Sequence, residues 1–366
     1  MNLCELRLSG FRNYENLEFT AQPGVNLIVG DNAQGKTNLL EAIVYLGTGK
    51  SFRAQKSGEL VRFGADFADL SVRVNSQGRE QTLRSVIFPD RRPRQLWRNG
   101  VKQKSAREFS GVLPTVLFCP EDLMVLKTGA SARRRLGDGA LCQLRPNYDA
   151  ALAEYGRLLE HKSKILKERH KNPALLEILP EYNLRLCQVG ALLISYRSRF
   201  YQGLEKAASV YHGQFSGGSE EFSLEYHTVS TVTDPFASVK ILTENLQEHM
   251  ERHARAELDS GLCLTGPHRD DFDVRLSGLS VKTYGSQGQT RTAAISLKLA
   301  QRELMRREHG QEPVLLLDDV LSELDPGRQD FVLNQISSGQ VFITCCEPGR
   351  FTKLGQTVRI EKGAIV

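Results

Sequence analysis

Apolar and polar residues alternate along LCELRLSGF (residues 3–11) and NLEFT (16–20), the period-two mark of strands with one buried face. The run VNLIV (25–29) reads as a buried strand ending at Gly30, and behind it Lys36 to Leu46 places Leu39, Leu40, Ile43 and Leu46 at helical spacing. The pattern is strand, glycine-containing loop, helix. LSVRVN (70–75), QTLRSVIF (81–88) and RQLWRNGVKQK (94–104) predict antiparallel strands. The last is a hairpin, because Asn99-Gly100 suits a turn with positive φ at both central residues. This first lobe therefore combines parallel and antiparallel pairing.

From about Pro120 to Gly261 the apolar residues recur at steps of three and four, as in NYDAALAEYGRLLEHKSKILKERHK (147–171) and the stretch 175–212. The turn GQFSGGSEEF and a short strand-like FSLEYHT interrupt them before 238–261 resumes as helix. Sustained heptads are lacking, so a compact helical insertion is expected rather than a long coiled-coil arm. The sheet pattern returns after LTGPHRDDFDVRLSG, with a helix over 290–308, a strand PVLLLDDV, a helix over 325–337 and a strand QVFITCC. The expected divisions are 1–118, a helical lobe over 119–261, and 262–366.

Composition adds constraints. Forty per cent of the 366 residues are hydrophobic and 25% charged, the balance of a folded globular protein. No stretch approaches the roughly 18 apolar residues of a membrane span, and the N-terminus carries charges where a signal peptide has its apolar run, so a cytoplasmic protein without a membrane role is expected. The seven cysteines are scattered and never arranged C-x-x-C, which indicates neither a disulfide framework nor a zinc site. Net charge is only +5, but eight basic residues (Arg84, Arg91, Arg92, Arg94, Arg98, Lys102, Lys104, Arg107) face one acid between positions 84 and 107. Ten more (Arg133, Arg134, Arg135, Arg145, Arg157, Lys162, Lys164, Lys167, Arg169, Lys171) face five acids between 133 and 171. Two readings stand: a polyanionic partner bound through phosphates, or a solvated helix face plus an ordinary hairpin.

The segment GDNAQGKT, comprising Gly30, Asp31, Asn32, Ala33, Gln34, Gly35, Lys36 and Thr37, fits the phosphate loop G-x-x-x-x-G-K-[ST]. Its glycines let the backbone wrap a phosphate with N–H groups pointing inward, at the positive end of the following helix. Lys36 supplies charge to the β and γ phosphates of ATP, and the Thr37 hydroxyl is placed to ligate Mg²⁺. The matching half lies about 280 residues downstream in VLLLDDVLSELD, where Asp318 ends a buried strand and reaches Mg²⁺ while Asp319 orients or deprotonates the attacking water. The nucleotide lobe must then be discontinuous, with the helical region inserted between its phosphate loop and its metal carboxylate. GSQGQ, containing Ser286, Gln287, Gly288 and Gln289, sits at a helix start upstream of Asp318, and SELD, ending in Asp325, follows it.

At these elements the sequence resembles the ABC-type ATPases, whose signature element and D-loop occupy these places. The fold this implies is α/β, an ABC-type P-loop ATPase head with a mixed sheet and an inserted compact helical lobe. Divisions 1–118 and 262–366 then form the ATPase lobe. Taken with FRNYENLEF, GKSFR, PEDL, GPHRDD and GSQGQTR, the match narrows to the RecF family, relatives of the Rad50 and SMC heads with short arms. The resemblance implies a weak, DNA-stimulated ATPase that binds single-stranded or gapped DNA, or duplex at junctions. It implies an ATP-dependent homodimer in which Ser286 to Gln289 bind the partner's nucleotide. It also implies work with RecO and RecR to load recombinase, in replication, repair and the SOS response. Carried over residue by residue, Lys36, Asp318 and Asp319 are catalytic, Gly30 to Thr37 and Asp325 belong to the nucleotide site, Thr37 and Asp318 hold Mg²⁺, and Arg53 lies where SMC heads have an arginine that reaches the nucleotide.

Some positions depart from the pattern. Cys345 stands where many ABC ATPases have a switch histidine, FCPED replaces the usual Q-loop glutamine, HKSK replaces an expected arginine-asparagine pair, and LGDGAL stands where FLD is usual. GPHRDD has two readings, a nucleotide-sensing or interface role for His268, Arg269, Asp270 and Asp271, or a structural network between lobes. The competing function is an ABC ATPase subunit of a membrane transporter, disfavoured by the long insertion and the absent histidine. A metabolic phosphotransferase would leave GSQGQ without a role.

Overall fold

A computed structural model describes residues 1–109, 111–336, 338–347 and 349–366, the side chain of Arg350 excepted. Ser337, the end of the helix expected over 325–337, lies outside the described residues. The chain divides into one unit of Met1–Met124 with Ala294–Val366 and a second of Val125–Ala293.

In chain order the first unit begins with β1 (Asn2–Phe11), β2 (Tyr14–Thr20), β3 (Val25–Val29), α1 (Lys36–Thr48), β4 (Ala68–Ser76), β5 (Arg79–Ile87), β6 (Gln95–Arg98), β7 (Val101–Gln103) and β8 (Thr115–Phe118). The second unit contains α2 (Ala130–Leu144), α3 (Pro146–Glu168), α4 (Leu179–Ser216), β9 (Phe222–His227), α5 (Val239–Ser260), β10 (Asp271–Leu276), β11 (Leu279–Ser280) and the single turn α6 (Val281–Tyr284). Helix α7 (Gln287–His309) leads back to the first unit, which ends with β12 (Val314–Asp318), α8 (Pro326–Gln335), β13 (Val341–Cys345), β14 (Gly355–Glu361) and β15 (Ala364–Ile365).

The two kinds of pairing expected of the first lobe fall to two separate sheets. One has the order β15-β14-β3-β13-β12-β8, with β14, β3, β13, β12 and β8 all parallel. Its central strands β12 and β13 are buried at every residue, as a strand covered on both faces must be. The other is antiparallel, in the order β2-β1-β4-β5-β6-β7. In β1 the inward side chains Leu6 and Leu8 keep step, and a register shift between Leu3 and Glu5 lets Leu3 face inward as well. Helix α1 lies between the sheets, its Leu39 and Ile43 sharing a core with Leu6, Leu70, Leu316 and Phe342. Asn99 and Gly100 both take positive φ, so the β6–β7 hairpin turns as expected.

In the second unit α4, 38 residues long, packs against α3, α5 and β9, and β9, β10 and β11 form a small antiparallel sheet. The unit borders at 124/125 and 293/294 differ from the expected 118 and 261. The reason is pairing: β10 joins β9, which packs on α4, so the chain after Gly261 stays with the helices. No described helix is long and apolar enough to cross a membrane.

Candidate nucleotide-binding site

Strands β3, β13 and β12 are neighbours in the parallel sheet, and their carboxyl ends bring together Val29, Cys345 and Asp318. That edge is where open α/β sheets carry ligands. The loop from Gly30 to Gly35 leaves β3 there. A Cβ on Gly30 would lie 2.3 Å from the Ile360 carbonyl oxygen, so only glycine allows the loop to pass β14. Ala33 and Gly35 take positive φ, 63° and 122°, which folds the loop back toward α1. Gly35 caps α1 without any side-chain hydrogen bond, leaving the first-turn N–H groups to an external acceptor.

Lys36 is 4% exposed. Its ammonium donates to the carbonyls of Gly30 (2.7 Å) and Asp31 (3.2 Å) and lies 3.4 Å from the Cys346 sulfur. No carboxylate pairs with it among the described residues, so a buried charge is held by two carbonyls and a thiol, an arrangement that an incoming anion would stabilise. Thr37 Oγ1 donates to Asp318 Oδ1 at 2.9 Å, and Thr344 Oγ1 donates to the same oxygen at 2.9 Å. Burial raises the Asp318 carboxyl above the ordinary range, the Asp319 charge adds to this, and the two threonine hydrogen bonds oppose it. Asp319 takes a left-handed conformation (φ 51°), fixed by its N–H donating to Thr344 Oγ1 at 2.8 Å. A threonine hydroxyl and two carboxylates form a hard-oxygen donor set suited to Mg²⁺, although no ready-made cluster of His, Cys, Asp and Glu exists among the described residues.

The remaining expected residues are placed as follows. Asp31, Asn32 and Ala33 form the exposed tip of the loop. Gln34 turns the other way: its side-chain oxygen accepts from Lys362 N–H and its carbonyl from Asn13 Nδ2 (2.8 Å) and Gly363 N–H (3.1 Å). Arg53 is exposed and donates to Asn38 Oδ1 at 2.9 Å. Asp325 caps α8 by accepting from Arg328 N–H and pairs with the Arg328 guanidinium. These belong to the first unit. Ser286 to Gln289 belong to the second, at the start of α7, with Ser286 and Gln287 exposed.

Several supporting residues escaped the sequence reading. Glu41, fully buried in α1, accepts both Arg12 Nε (2.8 Å) and Nη2 (2.7 Å) and the Ser51 hydroxyl. Ser51 Oγ in turn accepts the N–H groups of Arg53 (2.9 Å) and Ala54 (2.7 Å), which sets the turn carrying Arg53. A glutamate inside the apolar run LLEAI was the available signal. Tyr14 donates to the Gly35 carbonyl (2.8 Å) and Asn38 Nδ2 donates to Asn13 Oδ1 (2.8 Å), so the β1–β2 turn buttresses the loop. The thiol facing the loop is Cys346, which also contacts Asn32 Oδ1 at 3.1 Å, whereas Cys345, read above as occupying the switch position, is buried and its thiol is pushed up to about 11 by desolvation.

GPHRDD lies wholly in the second unit. Asp270 accepts from Arg197 Nη1 (2.8 Å) and Tyr226, Asp271 receives both Arg133 Nε (2.6 Å) and Nη2 (2.7 Å), and His268 meets Tyr155 OH at 2.8 Å. Within that unit these contacts form a structural network. In the second basic cluster Arg133 and Lys162 are internal, each 1% exposed and the latter paired with Glu257, whereas in the first Arg84 and Arg92 are exposed and Arg94 and Arg98 half-buried, engaging Asp69, Asp90, Gly49 and Gln81 respectively.

A phosphate loop and an acid-ended strand at the carboxyl edge of one parallel sheet, with an antiparallel sheet beside it, a helical insertion and an S-x-G-Q helix start, define an ABC-type P-loop ATPase head. Residues 2–364 match the family described as RecF/RecN/SMC N terminal domain. Proteins named DNA replication and repair protein RecF from Ruminiclostridium cellulolyticum and from Bacillus subtilis are 36% and 38% identical over 357 and 349 residues, covering 97% and 94% of this chain and 95% and 93% of theirs. A solved structure titled as the recombination mediator protein RecF-ATPrS in the RecFOR pathway superposes with a TM-score of 0.91 at 31% identity, covering 100% of this chain and 97% of that one. An Smc head bound to the C-winged helix domain of ScpA shares the fold alone, at a TM-score of 0.57 and 17% identity over 100% of this chain and 98% of its own. The chain belongs to the RecF family.

Proposed function

We propose that this protein is an ATP-dependent DNA-binding protein of recombinational repair and replication, in which ATP drives closure of two copies on single-stranded or gapped DNA. The observation that carries the nucleotide reading is Lys36, a buried ammonium held among the described residues by carbonyl and thiol groups beside the Thr37–Asp318 contact. Lys36 and the N–H groups at the start of α1 take the phosphates, and Asp319 accepts a proton from the attacking water. Mg²⁺, held by Thr37 and Asp318, would neutralise charge on the transferring phosphoryl group. Ser286 to Gln289 of one copy complete the site of the other, and Arg53 reaches toward the nucleotide from its own chain.

Relatives named as DNA replication and repair proteins, and a related structure titled within the RecFOR pathway, support the biological assignment and disfavour the transporter alternative. The protein works with RecO and RecR type mediators to load recombinase in the cytoplasm, supports the SOS response, and hydrolyses ATP weakly with stimulation by DNA. The test is Ser286→Arg, which leaves ATP binding intact and blocks closure. Light scattering that shows the variant dimerising with ATP would refute the contact in trans.

A further inference from the structure

The signature turn is locked from inside its own unit. Ser286 N–H donates to Gln289 Oε1 at 2.9 Å while Gln289 N–H donates to Ser286 Oγ at 3.1 Å, a reciprocal pair that satisfies two N–H donors at the start of α7. The carboxamide nitrogen of Gln289 has its own acceptor, Glu220 Oε1, at 2.7 Å. Both ends of the glutamine side chain are therefore committed, and the side chain lies along the helix end, not outward. Glu220 Oε2 lies 2.9 Å from Nε2 of His212, a fully buried ring beside Phe222 with centroids 5.5 Å apart. Nδ1 of that ring has no partner among the described residues. A bare ring nitrogen tolerates this better than a buried N–H would, so the network assigns the proton to Nε2, donating to the carboxylate. On the other side of the turn Lys127 Nζ donates to the carbonyls of Gly285 (2.9 Å) and Lys282 (3.2 Å).

We infer that Glu220, held by His212, is a positioning residue that fixes Gln289 and thereby sets the exposed Ser286 and the α7 N-terminus for contact with the nucleotide of a second copy. The inference rests on the trans-contact reading proposed above. It assigns Gln289 to the aim of the element and leaves contact with phosphate to Ser286 and the backbone. The Glu220 carboxyl sits below the ordinary range, chiefly through the Gln289 hydrogen bond, as expected of a carboxylate kept ionised by its partners. Glu220 lies between the end of α4 and the start of β9, so the segment that tethers the signature comes from the inserted helical unit.

The test compares Glu220→Ala, Glu220→Gln and Ser286→Arg in the full chain, with ATP and Mg²⁺. Three quantities are read: ATP binding, the protein concentration for ATP-driven dimerisation, and amide exchange at residues 285–290. Glu220→Ala should bind ATP normally, dimerise about tenfold or more less readily, the factor expected for losing one hydrogen bond to a charged group, and exchange faster at 285–290 only. Glu220→Gln keeps an oxygen acceptor for Gln289 but turns its amide N–H₂ toward His212, so it should fall between the parent and Glu220→Ala in both dimerisation and exchange. Normal dimerisation and unchanged exchange in Glu220→Ala overturn the inference. So does faster exchange throughout the unit with loss of ATP binding, which would mark general loosening. If Ser286→Arg also dimerises normally, the trans-contact reading fails instead, and exchange at 285–290 still decides whether Glu220 positions the turn.

Discussion

Thr37 Oγ1 donates to Asp318 Oδ1 at 2.9 Å, joining residues 281 positions apart across the inserted unit. The contact places the Thr37 hydroxyl against the strand-end carboxylate, the two groups proposed above to share one nucleotide site.

The same carboxylate gives a pH signature. Burial raises its pKa above the ordinary 3.8, so between the unfolded and folded values the folded state holds a proton that the unfolded chain has released. The stability from that proton is present below the unfolded pKa and is lost as pH rises through the folded one. Asp318→Asn removes this loss, so the apo variant should melt above the parent at neutral pH, by about 1–2 °C for each kcal/mol in a chain of this length, and level with it near pH 3. Calorimetry with a chelator checks this. A difference independent of pH would show that the Asp318 charge is not responsible.

Lys36→Ala removes a buried charge whose oxygen partners are carbonyls, so the apo protein should lose little stability. Binding of ATP should weaken by about 10–100-fold, since the interaction removed is a charged hydrogen bond to an anion. Calorimetric titration measures the affinity and a denaturant series the stability. Equal ATP affinity in variant and parent would contradict the role given to the ammonium.

The strand-loop-helix at 25–48 and the acid-ended strand at 314–318 were legible because each carries a local pattern: an apolar run, fixed glycine spacing, helical periodicity. The Asn99-Gly100 turn was legible for the same reason. Strands β8 and β14 were not. β8 has only four residues, and β14 alternates weakly, yet both join the parallel sheet through pairing with β12 and β3. No local property of TVLF or GQTVRIE names those partners. The supports of the site were hidden similarly: the dependence of Arg53 on Arg12, Glu41 and Ser51 is a tertiary fact assembled from three segments. Cys346 rather than Cys345 faces the phosphate loop because strand β13 buries its last residue, a one-residue alternation that sequence adjacency cannot resolve. Charge counting could not sort the basic clusters, because it does not distinguish Arg133, 1% exposed and bonded to Asp271, from Lys164 and Lys167, which are exposed.

Glu41 gives a third expectation. It is fully buried with Arg12 as its ionic partner, so Glu41→Ala leaves the half-buried Arg12 guanidinium only the Glu59 carbonyl among the described residues and opens the Ser51 turn. A loss of about 2–3 kcal/mol is expected, below the figure for a fully buried pair because Arg12 keeps solvent and the Glu59 carbonyl. Glu41→Gln keeps an acceptor for Ser51 and should lose less. Urea unfolding followed by circular dichroism ranks the two variants, and equal stability of Glu41→Ala and parent would remove the buttressing role.

The last expectation separates basic residues that hold the fold from those available to DNA. Arg133 is 1% exposed, bonded twice to Asp271 and once to the Thr128 carbonyl at 2.6 Å, so Arg133→Ala should destabilise the helical unit. Arg157, Lys164, Lys167 and Lys171 are exposed, the first three on α3 and the last just beyond it. Spacings of seven and three residues keep Arg157, Lys164 and Lys167 on neighbouring faces of that helix. If phosphates bind there, Lys164→Glu with Lys167→Glu should weaken DNA binding and flatten the dependence of log affinity on log salt by about 0.9 for each duplex phosphate no longer neutralised. Thermal stability should hold, because neither lysine is buried. Fluorescence anisotropy across a salt series reads the slope, and an unchanged slope would move the DNA surface away from α3.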